Sequence, residues 1–324
     1  MTDPDPITSA QYLRFATYEA RGSSPIYEDW AHGVAEDAEL ITLIESVPAA
    51  KRQPNLVFAA ARVNGAPEGP YAAFRAHFVA HWPAIRAVVL ARSTQTNEAA
   101  RTSTLLPWLV EPKRPIALLE VGASAGLCLY PDRYSHIYSD GVDEARLDPS
   151  DGPASVELHC RVNRLDRVPT RMPEVRWRAG IDLNPIDVTD RAGKAWLTAL
   201  VWPEHHERRE RLIAAAQLVA NEPPYLVAGD LFDRLVDTAA AAPRDAQLIL
   251  FHSAVLNYLS LEERSAFAEV VRQLDAIWLS NEGEGVLPWI IPQAHAHDGA
   301  CFVIARNSEP VGLASPHGQW LEWL

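Results

Sequence analysis

One stretch narrows the possible folds more than any other: the apolar run Ile116-Ala-Leu-Leu-Glu-Val121, followed at once by Gly122-Ala-Ser-Ala-Gly126. A short apolar run that ends in closely spaced glycines reads as a buried strand entering a tight turn. Glycines serve there because the backbone must take left-handed angles or approach something closely. The chain reads differently on either side of this point.

Before it, the spacing is helical. Tyr12, Phe15 and Tyr18 fall three apart, and Leu40, Ile41, Leu43, Ile44 and Val47 form a second stripe. Tyr71, Phe74, Phe78, Ile85 and Val89 continue it, with Pro83 expected to kink or divide that helix. No strand reads before residue 116, so residues 1–112 are expected to form an all-helical cap domain. Near its end, Thr94 or Thr96 would cap a helix and Glu98 would suit the first turn.

From Pro115 onward, apolar runs at 116–121, 175–183, 225–229, 247–253 and 276–282 alternate with helical stretches at 189–201 with 204–220, 231–240 and 261–274. That alternation is the pattern of crossover units on a parallel sheet. The final residues read as two strands joined by a turn through Asn307, Ser308, Glu309 and Pro310. Residues 113–324 are therefore expected to be α/β, a mostly parallel sheet closed by an antiparallel C-terminal hairpin. Residues 131–174 break the alternation: "DRYSHIYSDGV" and "SVELHCRVN" alternate polar and apolar residues, which reads as a strand-pair insertion.

Composition removes several classes. With 324 residues, 48% hydrophobic and 22% charged, the chain can bury a full core. A net charge of −13 opposes binding to phosphate backbones, so no nucleic-acid partner is expected. Cys128, Cys160 and Cys301 are too scattered for a disulfide framework or a Cys-x-x-Cys metal site. "MTDPDPITSAQ" has no basic region leading into an apolar one, and nowhere do about 18 apolar residues run together. A cytoplasmic protein without membrane or metal, acting on a small-molecule substrate, is the expectation; the oligomeric state is left open.

Three chemistries fit the glycine turn. Gly122-Ala-Ser124-Ala-Gly126 matches the G-x-S-x-G elbow of serine hydrolases, with His252, His295, His297 and His317 as later bases, but that elbow needs a sheet ahead of it. A dinucleotide site wants G-x-G-x-x-G, and Ser124 and Leu127 stand at the second and third positions. Read from Glu120, the segment resembles the E-x-G-x-x-x-G first motif of Rossmann-like S-adenosylmethionine-dependent methyltransferases. This cofactor has no pyrophosphate, so the small residues Ala123, Ser124 and Ala125 suffice beside Gly122 and Gly126.

The resemblance continues along the chain. "GIDLNP" resembles the second strand of those enzymes, which implies that Asp182, followed by Leu183, holds the ribose hydroxyls. "VAGDLFD" resembles the third, with Asp230 toward the adenine amino group and Leu231 or Phe232 beside the ring. "LILFHSAVLNYLS" resembles the fourth, carrying His252, Ser253 and Asn257, and the closing hairpin resembles the last two strands. From Glu120 to Asp182 is 62 residues, where a nucleotide-binding unit brings its acid in about 20 residues on. If the insertion does not account for the excess, Asp140 or Asp143 competes for the role.

From residue 95 to the end, "QTNEAAR", "LLEVGASAGLCL", "DRYSHIY", "GIDLNPIDV", "LVWPEHHERRERL", "FHSAVLNYL" and "HGQWLEWL" also resemble a bacterial family known as domain of unknown function 2332. Membership implies the methyltransferase-like fold and brings no substrate. Together the resemblances imply methylation of a small molecule at oxygen, nitrogen or carbon. His252 and Glu98 are then the candidate catalytic groups, and Gln95, Asn97, Arg101 and Asn257 the candidate substrate contacts. The alternatives are a non-catalytic binder on the same fold and a hydrolase using Ser124.

Other features read as structural. His77 and His81 have the spacing of helix metal ligands but lack the glutamate of H-E-x-x-H. His205-His206 and His295-Ala-His297 read as a charged helix face and a loop. Tyr130, Asp132 and Tyr134 read as packing of the insertion, and Trp320 and Trp323 as core.

Overall fold

The computed structural model of the chain describes residues 6–95, 97–291 and 301–324. Its helices, in chain order, are α1 (Pro6–Phe15), continued by a π-helical turn at Ala16–Ala20, α2 (Pro25–Glu36), α3 (Ala38–Glu45), α4 (Pro54–Val63), α5 (Tyr71–Ala91), α6 (Arg101–Leu109), α7 (Arg191–Leu200), α8 (His206–Asn221), α9 (Leu231–Ala240) and α10 (Leu261–Arg272). The strands are β1 (Ile116–Val121), β2 (Ser135–Ser139), β3 (Glu144–Leu147), β4 (Glu157–Val162), β5 (Val175–Asp182), β6 (Tyr225–Ala228), β7 (Gln247–Ser253), β8 (Ala276–Gly283), β9 (Phe302–Arg306), β10 (Glu309–Ala314) and β11 (Trp320–Trp323). They gather into two compact units, one running up to Thr96 and including Thr189–Ile213, the other comprising Asn97–Val188 and Ala214–Leu324.

The first unit is helical. Ser24 caps α2, accepting from the Tyr27 N–H, and Asp37 caps α3 through the N–H groups of Glu39 and Leu40. Tyr12, Phe15, Tyr27, Trp30, Phe58 and Phe74 interlock as a buried aromatic core, with Trp30 stacked on Phe74 at 4.1 Å. Within it, Arg62 binds the Ala199 carbonyl at 2.7 Å and the Glu68 carboxylate at 2.5 Å. α5 is not divided at Pro83: it runs unbroken through that residue.

The units do not separate at residue 112. Every residue of α6 is buried, and this helix belongs with the sheet. The Ser103 hydroxyl bonds His136, the Tyr138 hydroxyl donates to the Ser103 carbonyl, and Trp108 meets Trp323. A helix buried all round carries no amphipathic stripe to betray which layer it joins. Conversely α7, which reads as a crossover helix, packs on α4 in the helical unit.

The second unit is α/β, built on one largely parallel sheet of eleven strands in the order β3-β2-β4-β11-β10-β9-β8-β7-β1-β5-β6. β1, apolar and wholly buried, lies between β5 and β7, parallel to both. Beyond them β6 and β8 are parallel too. β9 and β10 pair antiparallel through a two-residue turn whose Asn307 and Ser308 take φ of 51° and 71°, the mirror-image geometry that suits a hairpin's twist. Glu309 and Pro310 are thus strand rather than turn, and β11 adds a third antiparallel strand. One face of the sheet is sealed by Leu231 and Leu235 of α9 and Phe267 and Val271 of α10 against Leu119, Val121, Ile181 and Leu250.

The insertion is larger than a strand pair. β2, β3 and β4 extend the same sheet from its far edge, because β4 pairs in parallel with β11 and β2 with β4. Among the described residues no helix is long and apolar enough to cross a membrane.

Candidate functional site

Apart from the β2–β4 insertion, the connections run outward from β1 to β5 and β6 on one side, then return and run outward through β7 and β8 on the other. At such a reversal the loops leaving adjacent strands diverge, and ligands of open α/β sheets lie outside the carboxyl ends there. Those ends carry the Gly122–Gly126 turn after β1, Asp182 on β5, Asp230 after β6 and Ser253 on β7. Four segments far apart in sequence therefore meet on one rim.

In the glycine turn, Gly122, Ser124 and Gly126 take φ of 74°, 50° and 72°. Its amides are all engaged. Gly122 and Ala123 donate to the Ile181 carbonyl at 2.8 and 3.1 Å, Ser124 to Asp182 Oδ2 at 2.8 Å, Ala125 to Asn97 Oδ1 at 3.0 Å and Gly126 to the Ala123 carbonyl at 2.6 Å. A single 3₁₀ turn, Leu127–Leu129, follows in place of a helix. The turn thus presents neither free amides nor a helix dipole to a pyrophosphate. The hydrolase arrangement fares no better: Ser124 is 4% exposed, its Oγ accepts from Asn97 Nδ2 at 2.8 Å, and the Ala125 amide that would face an oxyanion is taken.

Asp182 sits beside the turn and binds it; its Oδ1 also accepts from the Asn184 amide at 2.7 Å. The long insertion leaves from β1 and returns to β5 without separating those strands. Asp140 lies instead on the β2–β3 turn, where it accepts from Val142 and Asp143, at the opposite end of the sheet. Asp140 and Asp143 are therefore no rivals for Asp182. Asp230 is exposed and caps α9 through the Phe232 amide at 2.8 Å. Leu231 is 9% exposed and packs into the core, whereas Leu183 and Phe232 are exposed.

Beneath the turn lies a buried polar cluster of Asn97, Glu98, Arg101, Glu120 and Cys128. Asn97, read in the sequence as a substrate contact, spends its amide on the turn, and Glu98 Oε1 accepts from the Ala100 amide at 3.2 Å. Arg101 donates to the Pro316 carbonyl at 2.8 Å and the Ser253 carbonyl at 3.2 Å. Burial pushes the Glu120 carboxyl well above its ordinary pKa; Arg101 opposes this and Asp182 adds to it. Burial and the Glu120 charge likewise push the Cys128 thiol up. In acid, both states carry the Glu120 proton; as pH rises past the ordinary carboxyl range the unfolded chain loses it first, so stability falls. Glu120→Gln is therefore expected to gain more over wild type at pH 8 than at pH 4 in chemical denaturation. A pH-independent difference would place the folded carboxyl at its ordinary pKa.

His252 is not available as a base. It is fully buried; its Nε2 accepts from Trp278 Nε1 at 3.0 Å and its Nδ1 donates to Glu282 Oε1 at 2.7 Å. Since an indole N–H can only donate, the tautomer is set and neither nitrogen is left for a substrate. The Ser253 hydroxyl accepts from Asn281 Nδ2 at 2.9 Å. Asn257 is exposed on the loop after β7, near Tyr258, which is 76% exposed. Gln95 belongs to the helical unit. Sequence reasoning misses Glu282 and Asn281; their one signal is "WLSNE", an apolar strand turning polar at its carboxyl end.

The histidine pairs are accounted for locally. His77 binds the Asn64 carbonyl, stacks on His81 at 4.0 Å, and His81 binds the His77 carbonyl; His205 binds Ser23. Among the described residues no group of His, Cys, Asp and Glu could hold a metal ion. Thr96, His295 and His297 lie outside the described residues.

Residues 9–323 match the family described as "Uncharacterized protein conserved in bacteria (DUF2332)". No curated protein and no solved structure matches the chain.

Proposed function

We propose that this chain, which belongs to the bacterial family DUF2332, binds S-adenosylmethionine on a Rossmann-like sheet and transfers its methyl group to a small molecule. The observation that carries this reading is the convergence of the Gly122–Gly126 turn, Asp182, Asp230 and Ser253 on adjacent strand ends at the chain reversal. A nucleoside without pyrophosphate needs no free turn amides, and this turn has none to give. Asp182 and Asp230 would accept from ribose and adenine donors, with Leu183 and Phe232 beside the ring. When bound, the cofactor supplies an activated methyl on a sulfonium; the chain's part is to align donor and acceptor.

The commitment of His252 to Glu282 and Trp278 favours a second reading, a binder that keeps the cofactor site without catalysis. Isothermal titration with S-adenosylmethionine and S-adenosylhomocysteine should release heat and raise the melting temperature; silence with both would overturn the cofactor assignment. Transfer of labelled methyl to small molecules of a bacterial extract separates enzyme from binder.

A further inference from the structure

We infer that Glu282 is the positioning residue of this rim, holding the loop after β7 in shape and, through Val255, holding the glycine turn. Its functional half rests on the cofactor reading above; its structural half does not.

Four described residues other than glycine take positive φ. Asn307 and Ser308 make the hairpin turn. The other two, Ser124 at 50° and Ala254 at 58°, stand on the two loops flanking the chain reversal. Left-handed backbone in an L-residue persists where the surroundings over-determine it, and such sites gather at functional loops.

The second loop is held by the end of β8, chiefly through one oxygen of Glu282. Glu282 Oε1 accepts from the Val255 amide at 3.0 Å, the Leu256 amide at 3.1 Å and His252 Nδ1 at 2.7 Å, while the Ala254 amide reaches the Asn281 carbonyl at 3.1 Å. The Trp278 indole fixes the imidazole tautomer, and one carboxylate oxygen sets two consecutive amides of the loop, Val255 and Leu256. Val255 then carries the constraint across. Its Cγ2 lies 2.2 Å from where a Cβ on Gly122 would stand, so the two loops interlock. Glu282 is 2% exposed and its Oε2 has no hydrogen-bond partner. Its engaged oxygen takes three donors that an apolar side chain would leave without an acceptor, and two of them are amides of a loop on the candidate rim.

The test uses Glu282→Ala, Glu282→Gln, Val255→Ala and a control, Val271→Ala, in the α10 core. Amide hydrogen exchange is read over residues 122–126 and 253–257, and the affinity for S-adenosylhomocysteine is read by titration. Glu282→Ala should speed exchange in both segments and weaken binding by about tenfold or more, while Glu282→Gln, which keeps the acceptor, stays within about threefold of wild type. Val255→Ala should loosen 122–126 but leave the 255 and 256 amides protected, and it keeps the question open to measurement if Glu282→Ala does not fold. Unchanged exchange at 253–257 in Glu282→Ala, glutamine behaving as alanine, or the same loosening in Val271→Ala would overturn the inference. If wild type itself does not bind the ligand, the cofactor reading fails and the exchange data alone decide the role of Glu282.

Discussion

Gly122→Ala is expected to lower stability by about 2–5 kcal/mol in urea unfolding, about 1–2 from left-handed backbone and about 1–3 from overpacking. The first part follows from the φ of 74° and the second from Val255 Cγ2, which occupies the place of the new methyl at 2.2 Å. The two parts can be separated. In a double-mutant cycle with Val255→Ala the overpacking is relieved and the backbone strain stays, so the pair should show favourable coupling of about 1–3 kcal/mol. Additive single effects would mean that Val255 does not sit on the turn. The same substitution should weaken S-adenosylhomocysteine binding, since the turn and the β7 loop share that contact.

Acidification is expected to cost about 3 kcal/mol between pH 7 and pH 4 through His136 alone. This imidazole is fully buried on β2, and desolvation holds its pKa at about 4 against an ordinary 6.5. Its Nε2 donates to the Pro131 carbonyl at 2.7 Å, so its Nδ1 accepts the Ser103 hydroxyl at 2.8 Å, an arrangement only the neutral ring can make. Above pH 6.5 both folded and unfolded chains are neutral there. As pH falls toward 4 the unfolded chain takes up a proton that the folded one refuses, and stability is lost at about 1.4 kcal/mol for each pH unit. His136→Gln can make both bonds without titrating. Its denaturant-measured stability should therefore fall less with acid than that of wild type, by about 3 kcal/mol at pH 4. Parallel pH curves for the two proteins would show that the ring titrates normally.

Much of the α/β unit is legible in the sequence. The five parallel strands fall where the apolar runs at 116–121, 175–183, 225–229, 247–253 and 276–282 put them, within a residue or so at each end. Local chemistry suffices for that, because alternation between buried runs and helical stripes reports each segment's own burial. Three readings fail for a shared reason. The sequence reads α6 into the helical cap, α7 into the sheet, and residues 131–174 as a strand-pair insertion; the first two errors concern the partner of a segment, and the third both its partner and its strand number, three rather than two. Helix α6 is buried on all sides, α7 finds α4, and β4 finds β11 about 160 residues away in the chain. No period in the sequence encodes a partner.

The candidate site divides the same way. The turn, its glycines and the acids that end β5 and follow β6 are readable because they sit at or next to strand ends. The reach of the 62-residue gap is not, since it depends on where the insertion pairs; with the insertion on the far edge, Asp182 bonds the Ser124 amide directly. His252 looks like a base because a histidine ending an apolar strand is ambiguous until its neighbours are known. Trp278 and Glu282, one strand over, decide its tautomer and occupy both nitrogens.

By itself, then, the sequence determined the five parallel strands and most of the helices, where the chain must turn through left-handed glycines, and which acids lie at the strand ends beside that turn. Only the tertiary structure decided which strands are neighbours, which unit each helix serves, and which polar groups are already spent on one another. The first set depends on backbone sterics and on periodic burial within about ten residues. The second depends on hydrogen bonds and packing between residues that only the fold brings together, and a buried donor or acceptor takes whichever partner lies within reach.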